Sequence, residues 1–123
     1  MGTADFYAVV EGFDEVKDSL VIDTTELGAV DEGALLCFVV LTPGVVLEAI
    51  EPRLRKALRS ELSPRHVPDR FYVIDAVPCT LNGKKCEVPI KKILSGTDPD
   101  QAISRESLQN PDSLAPFIDM AKT

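Results

Sequence analysis

The segment Asn82-Gly83-Lys84-Lys85, framed by Pro78 and Pro89, is where this chain's residue types point most directly to chemistry. Asn-Gly between two short extended segments signals a hairpin, because both residues tolerate positive φ. The flanking prolines restrict the backbone on either side, so Lys84 is presented from a stiff platform. An ammonium held that way suits point-charge stabilisation of a phosphate or a carboxylate. The same residues also fit a plain surface turn with solvated lysines. A P-loop is excluded, because position 78 is Pro where that motif needs Gly and Lys85 stands where it needs Ser or Thr.

Other reactive side chains form weaker constellations. Arg53, Arg55, Lys56 and Arg59 fall together on the polar side of one amphipathic stretch and could meet a polyanion or simply be solvated. His66, the single histidine, has no serine, cysteine or acid at a spacing that defines a triad. The three cysteines, Cys37, Cys79 and Cys86, lack metal-type spacing and are expected as free thiols. If Asn82-Gly83 is a two-residue turn, Cys79 and Cys86 face each other across it. Paired acids such as Asp14-Glu15 read as ordinary solvated carboxylates.

Charge sharpens the picture. The net charge is −7, yet residues 51–96 carry ten basic and five acidic side chains between two acidic flanks. That basic island can attract a small polyanion, while the acidic remainder repels nucleic acid. The longest apolar run, Ala34 to Leu41, is eight residues, far short of the roughly 20 that a membrane helix needs. No basic flank precedes an apolar stretch at the N-terminus, so no membrane partner and a cytoplasmic location are expected.

Elements must position these residues. A first helix is expected from Thr3 as N-cap, with Asp5 in its first turn and Phe6, Val9, Val10 and Phe13 at helical spacing. Residues 16–24 and 34–42 read as β-branched strands, the second buried on both faces. A helix follows from Leu47 to about Leu62, with Pro52 either kinking it or marking its start. Residues 70–75 form a third strand, and Pro89 opens a helix that Gly96 stops. Residues 97–113 are polar and turn-rich, a surface-wrapping or mobile stretch, before a short helix over 114–120.

Three stretches together carry a family resemblance. "VPCTLNGKK" (Val77 to Lys85) resembles the P-x-T-x-x-G-K motif near the C-terminus of adenylate-forming enzymes, with Pro78, Thr80, Gly83 and Lys84 at its fixed positions. "GTADFY" (Gly2 to Tyr7) resembles the segment that opens the C-terminal domain of those enzymes, with Asp5 in place of the usual Glu. "HVPDRFYVIDAVP" (His66 to Pro78) resembles the strand leading to the lysine motif. After the lysine, "KCEVPIKKIL" departs from the general pattern. Together with "SPRHVPD" and "SRESLQNPDSL", it is similar to the acetoacetyl-CoA synthetase branch, across essentially the whole chain.

The resemblance implies an α+β fold: a small mixed sheet of three or more strands plus a short hairpin, packed with helices. It implies a C-terminal lid domain over residues 1–96 and a polar tail over 97–123. In function it implies part of an acid-thiol ligase that turns acetoacetate, ATP and CoA into acetoacetyl-CoA, AMP and pyrophosphate. Lys84 is then the adenylation lysine, Arg59 a contact for a CoA phosphate, and Gly2 the last piece of a loop lining the pantetheine tunnel. Lys85 is expected as a bystander. ATP and CoA enter as substrates, with Mg2+ in the full-length enzyme. The expected partner is a large N-terminal adenylation domain that holds the small carboxylic acid, so the isolated lid should be inactive. The alternative is a free-standing CoA- or nucleotide-binding module, or a docking module.

Overall fold

The computed structural model describes residues 3–24 and 34–121. The polar link expected between the first two strands lies outside these residues. The β-branched runs form β1 (Val16–Asp23) and β2 (Leu35–Leu41), which pair antiparallel with Leu20 opposite Phe38 and Ile22 opposite Leu36. β3 (Arg70–Val73) lies parallel to β2, Cys37 opposite Phe71, giving a mixed sheet in the order β1-β2-β3. Parallel neighbours need a long crossover, and here it carries α2 (Leu47–Glu61). Asp69 sets the start of the parallel pair. Its Oδ2 accepts the Leu35 N–H at 2.7 Å, and its own N–H donates to the Leu35 carbonyl at 2.7 Å.

Strand side chains alternate between faces, and both faces of this sheet are buried. Val21, Cys37, Val39 and Phe71 pack with Phe6 and Val10 of α1 (Ala4–Val10) and with Ile50, Leu54 and Leu58 of α2. Leu20, Ile22, Leu36 and Phe38 point the other way, into a cluster completed by Ile90 and Ile93 of α3 (Glu87–Leu94) and by Leu108, Leu114 and Phe117. Phe117 belongs to α5 (Ala115–Ala121) and meets Phe38 edge-on with ring centroids 4.8 Å apart. The chain beyond Gly96 therefore wraps back, through the short α4 (Pro99–Ala102) and two 3-10 turns, and fills one face of the sheet.

Several local expectations are modified. Thr3 takes a helical backbone conformation and makes no side-chain cap bond, while Asp5 sits in the first turn of α1 as expected. Pro52 lies inside α2 and does not start it. The amide it lacks would have met the Glu48 carbonyl, and both residues lie on the exposed side of the helix, where solvent can take that acceptor. α3 ends as expected at Gly96. With φ at +105° this glycine lets its own N–H reach the Ile93 carbonyl and the Thr97 N–H reach that of Lys92, closing the last turn. No helix among the described residues is long and apolar enough to cross a membrane.

Candidate functional site

The lysine turn is a hairpin, but with a three-residue loop. The Thr80 N–H donates to the Lys84 carbonyl at 2.9 Å, and the Gly83 N–H donates to the Thr80 carbonyl at 2.8 Å. Only glycines have positive φ among the described residues, Gly83 at +83° and Asn82 not among them. The loop is thus Leu81-Asn82-Gly83, with glycine taking the left-handed position after the turn. Cys79 consequently bridges Lys85, not Cys86. The expected facing of the two cysteines is overturned, because one added loop residue shifts the register by one.

Each motif residue has a physical task in this loop. Gly83 supplies the left-handed backbone that a Cβ would strain. Thr80 Oγ1 accepts the Lys84 N–H at 3.1 Å, and the Pro78 carbonyl accepts the Cys86 N–H at 3.1 Å. Together they fix the Lys84 backbone while its side chain stays exposed. Lys84 pairs with no carboxylate among the described residues.

Lys85 is the opposite case. Its Nζ donates to Glu11 Oε2 at 2.5 Å, to Asp18 Oδ1 at 2.8 Å and to the Ser19 carbonyl, and it lies 4.0 Å from the centre of the Tyr7 ring. Burial alone would lower the pKa of this ammonium, but its hydrogen bonds to Asp18 and Glu11 and their charges outweigh that and hold it above the ordinary lysine value. Tyr7 works beside it: its hydroxyl accepts the Val21 N–H at 3.0 Å and donates to Glu87 Oε2 at 2.7 Å. Burial, the largest influence, pushes the Tyr7 phenol well above its usual range, and Glu87 adds to the shift. β1 is an edge strand with unpaired backbone groups; Lys85 and Tyr7 satisfy two of them and tie the hairpin to β1, α1 and α3. Sequence reasoning missed this anchor, since Glu11 and Asp18 lie 74 and 67 residues away along the chain.

The basic stripe on α2 divides as well. Arg53 pairs with Glu15 at 2.5 Å, holding that carboxyl below its ordinary value, and lies over the Phe13 ring. Arg55 pairs with Glu51 at 2.9 Å, donates to the Pro68 carbonyl at 2.7 Å and covers the Phe71 ring. Arg59 is exposed and pairs with no acid among the described residues. Gly2 lies outside the described residues. His66 turns inward on its own loop, its Nδ1 2.7 Å from Ser63 Oγ. Burial raises the thiol pKa of Cys37, Cys79 and Cys86, which favours the thiol over the thiolate at each. Among the described residues no group of three or more His, Cys, Asp or Glu could hold a metal ion.

What this geometry offers is an ammonium that pairs with no carboxylate among the described residues, on a fixed hairpin of a small α+β sheet domain. Residues 8–84 match the AMP-binding enzyme C-terminal domain family, and the chain belongs to that family. The match ends on Lys84 itself. Acetoacetyl-CoA synthetase from Caenorhabditis elegans is 40% identical over 119 residues, covering 96% of this chain and 16% of that protein. The Gallus gallus acetoacetyl-CoA synthetase is 34% identical over 92% of this chain and 16% of its own length. The solved acetoacetyl-CoA synthetase from Streptomyces lividans superposes with a TM-score of 0.88 at 39% identity, over 99% of this chain and 18% of the other. The chain thus spans about a sixth of the length of the curated relatives it matches.

Proposed function

We propose that this chain is the C-terminal lid of an ATP-dependent acid-thiol ligase acting on acetoacetate, with Lys84 as its adenylation lysine. The observation that carries the reading is the contrast between adjacent lysines: Lys85 is fully engaged, and Lys84 pairs with no carboxylate among the described residues, on a backbone clamped by Thr80 and Gly83. Acetoacetate comes from the names of the relatives. In the first half-reaction a carboxylate oxygen attacks the α-phosphorus of ATP, the bond to pyrophosphate breaks, and an acyl-adenylate forms. Two anions must approach in a closed site, and a fixed ammonium between them lowers the barrier as charge shifts at phosphorus. In the second half-reaction the CoA sulfur attacks the acyl carbon and AMP leaves; the exposed Arg59 meets a CoA phosphate there.

ATP, its Mg2+ and the acid are held by a separate adenylation domain, and the chain alone is inactive. The test joins the chain to that domain, fused or supplied in trans, and times each half-reaction. Lys84→Ala should slow acyl-adenylate formation by about 100-fold or more, the scale on which one preorganised charge acts. Thioester formation from supplied adenylate should stay within about threefold, since that step does not use the same charge. Equal losses in both steps, or none, would remove Lys84 from its role and favour a CoA-binding or docking module.

A further inference from the structure

The hairpin that carries Lys84 has a second side, and the C-terminal segment occupies it. The Leu81 N–H donates to the Ser107 carbonyl at 2.9 Å, Thr80 bridges Leu108 antiparallel, and the Gln109 N–H donates to the Cys79 carbonyl at 3.0 Å. Asn110 then continues the ladder with its side chain. Its Oδ1 accepts the Cys79 N–H at 3.1 Å, and its Nδ2 donates to the Val77 carbonyl at 2.9 Å. One amide side chain thereby satisfies a donor and an acceptor that a further strand residue would otherwise take. Leu108, 5% exposed, pins the segment into the core between Ser107 and Asn110. The segment lies wholly outside the residues matched to the family.

We propose that Asn110 is a positioning residue for Lys84, and that the 107–110 segment is a strap fixing where the lysine hairpin points. This rests on the adenylation role of Lys84. The hairpin arm has its backbone groups divided between two partners: Thr80 bonds across the loop to Gly83 and Lys84, while Val77, Cys79 and Leu81 bond to the strap. Removing the Asn110 amide frees the arm at its base. The ammonium at its tip then samples a wider volume, and displacement of about 1 Å from a productive geometry is enough to slow a reaction heavily.

The experiment compares Asn110→Ala, Asn110→Asp and Lys84→Ala in the chain joined to its adenylation domain, with amide exchange followed on the same proteins. In Asn110→Ala the Cys79 amide should exchange at least about tenfold faster while the amides of β2 are unchanged, as expected for local opening. Adenylation kcat should fall about tenfold with KM for ATP within about twofold, and thioester formation from supplied adenylate should be unchanged. Asn110→Asp retains the Oδ1 acceptor, should fall between the two, and carries the comparison if the alanine variant does not fold. Unchanged exchange at Cys79, or parallel loss of both half-reactions, overturns the proposal. So does loosened exchange with intact adenylation where Lys84→Ala still abolishes it, which leaves the Lys84 role standing. If Lys84→Ala spares adenylation, that role falls and the catalytic meaning of the strap falls with it, whatever the exchange shows.

Discussion

Lys84 and Lys85 are the same residue type one position apart, and their fates differ because successive strand side chains leave on opposite faces. Lys85 turns toward two carboxylates, a carbonyl and an aromatic ring, with its side chain 22% exposed. Replacing it by Met keeps the stem but takes the ammonium away from Glu11, Asp18 and the Ser19 carbonyl; among the described residues Glu11 Oε2 then keeps the Ser19 hydroxyl and Asp18 Oδ1 the Ser19 N–H. We expect Lys85→Met to cost about 2 kcal/mol near neutral pH, the scale of hydrogen bonds to charged groups, measured by urea unfolding. The folded-state pKa of Lys85 is raised, so its contribution is complete below the unfolded lysine value of about 10.4 and is lost as pH rises through the folded value. The gap between native and Lys85→Met should therefore hold from neutral pH to about pH 9 and narrow above about pH 10.4. A gap that stays constant into that alkaline range would mean that packing of the stem, not the charge, sets the cost. The sequence presents Lys84 at a turn tip plainly enough. It gives no hint of the anchoring of Lys85, because spacing along the chain cannot reveal partners 67 and 74 residues away.

Elements were legible where composition or a period governs them. The β-branched runs over residues 16–24 and 34–42, and the helical spacing of apolar residues through Leu54 and Leu58, lead directly to β1, β2 and α2. The hairpin register was not legible, because Asn-Gly serves two-residue and three-residue loops alike, and only the Thr80 and Lys84 backbone bonds select the longer one. The C-terminal stretch hides its role for a different reason. Its average is polar, yet Leu108 is buried among turns that no helical or strand period would flag, and Leu114 and Phe117, which the expected short helix does contain, are buried as well. Phe117 is fully buried against Phe38. Phe117→Ala should thus destabilise the chain by about 3–5 kcal/mol, as for other large aromatic truncations in cores. Thermal unfolding would check this. A loss below about 1 kcal/mol would show that the wrap is peripheral to the core, and the strap on the lysine hairpin would lose its foundation.

At the scale of the molecule, the basic island separates into cations that hold the fold and cations that face outward. Arg53, Arg55 and Lys85 are each committed to carboxylates, rings or carbonyls, whereas Lys84 and Arg59 pair with no acid among the described residues and sit on different elements, the hairpin and α2. If the chain serves both half-reactions of the proposed ligase, these two charges could act in different steps from different surfaces. If Arg59 receives a CoA phosphate, Arg59→Ala should raise KM for CoA about fivefold, the scale of a single partly solvated charge contact, and leave adenylate formation untouched. The effect should shrink as salt is raised, because an exposed guanidinium is screened within roughly 8 Å at physiological ionic strength. Combined with Lys84→Ala, the losses should assign cleanly to separate steps and add without coupling, as for sites that share no partner. A loss of adenylation in Arg59→Ala equal to its loss in thioester formation would instead place both cations in one site, and the division of labour between hairpin and helix would be withdrawn.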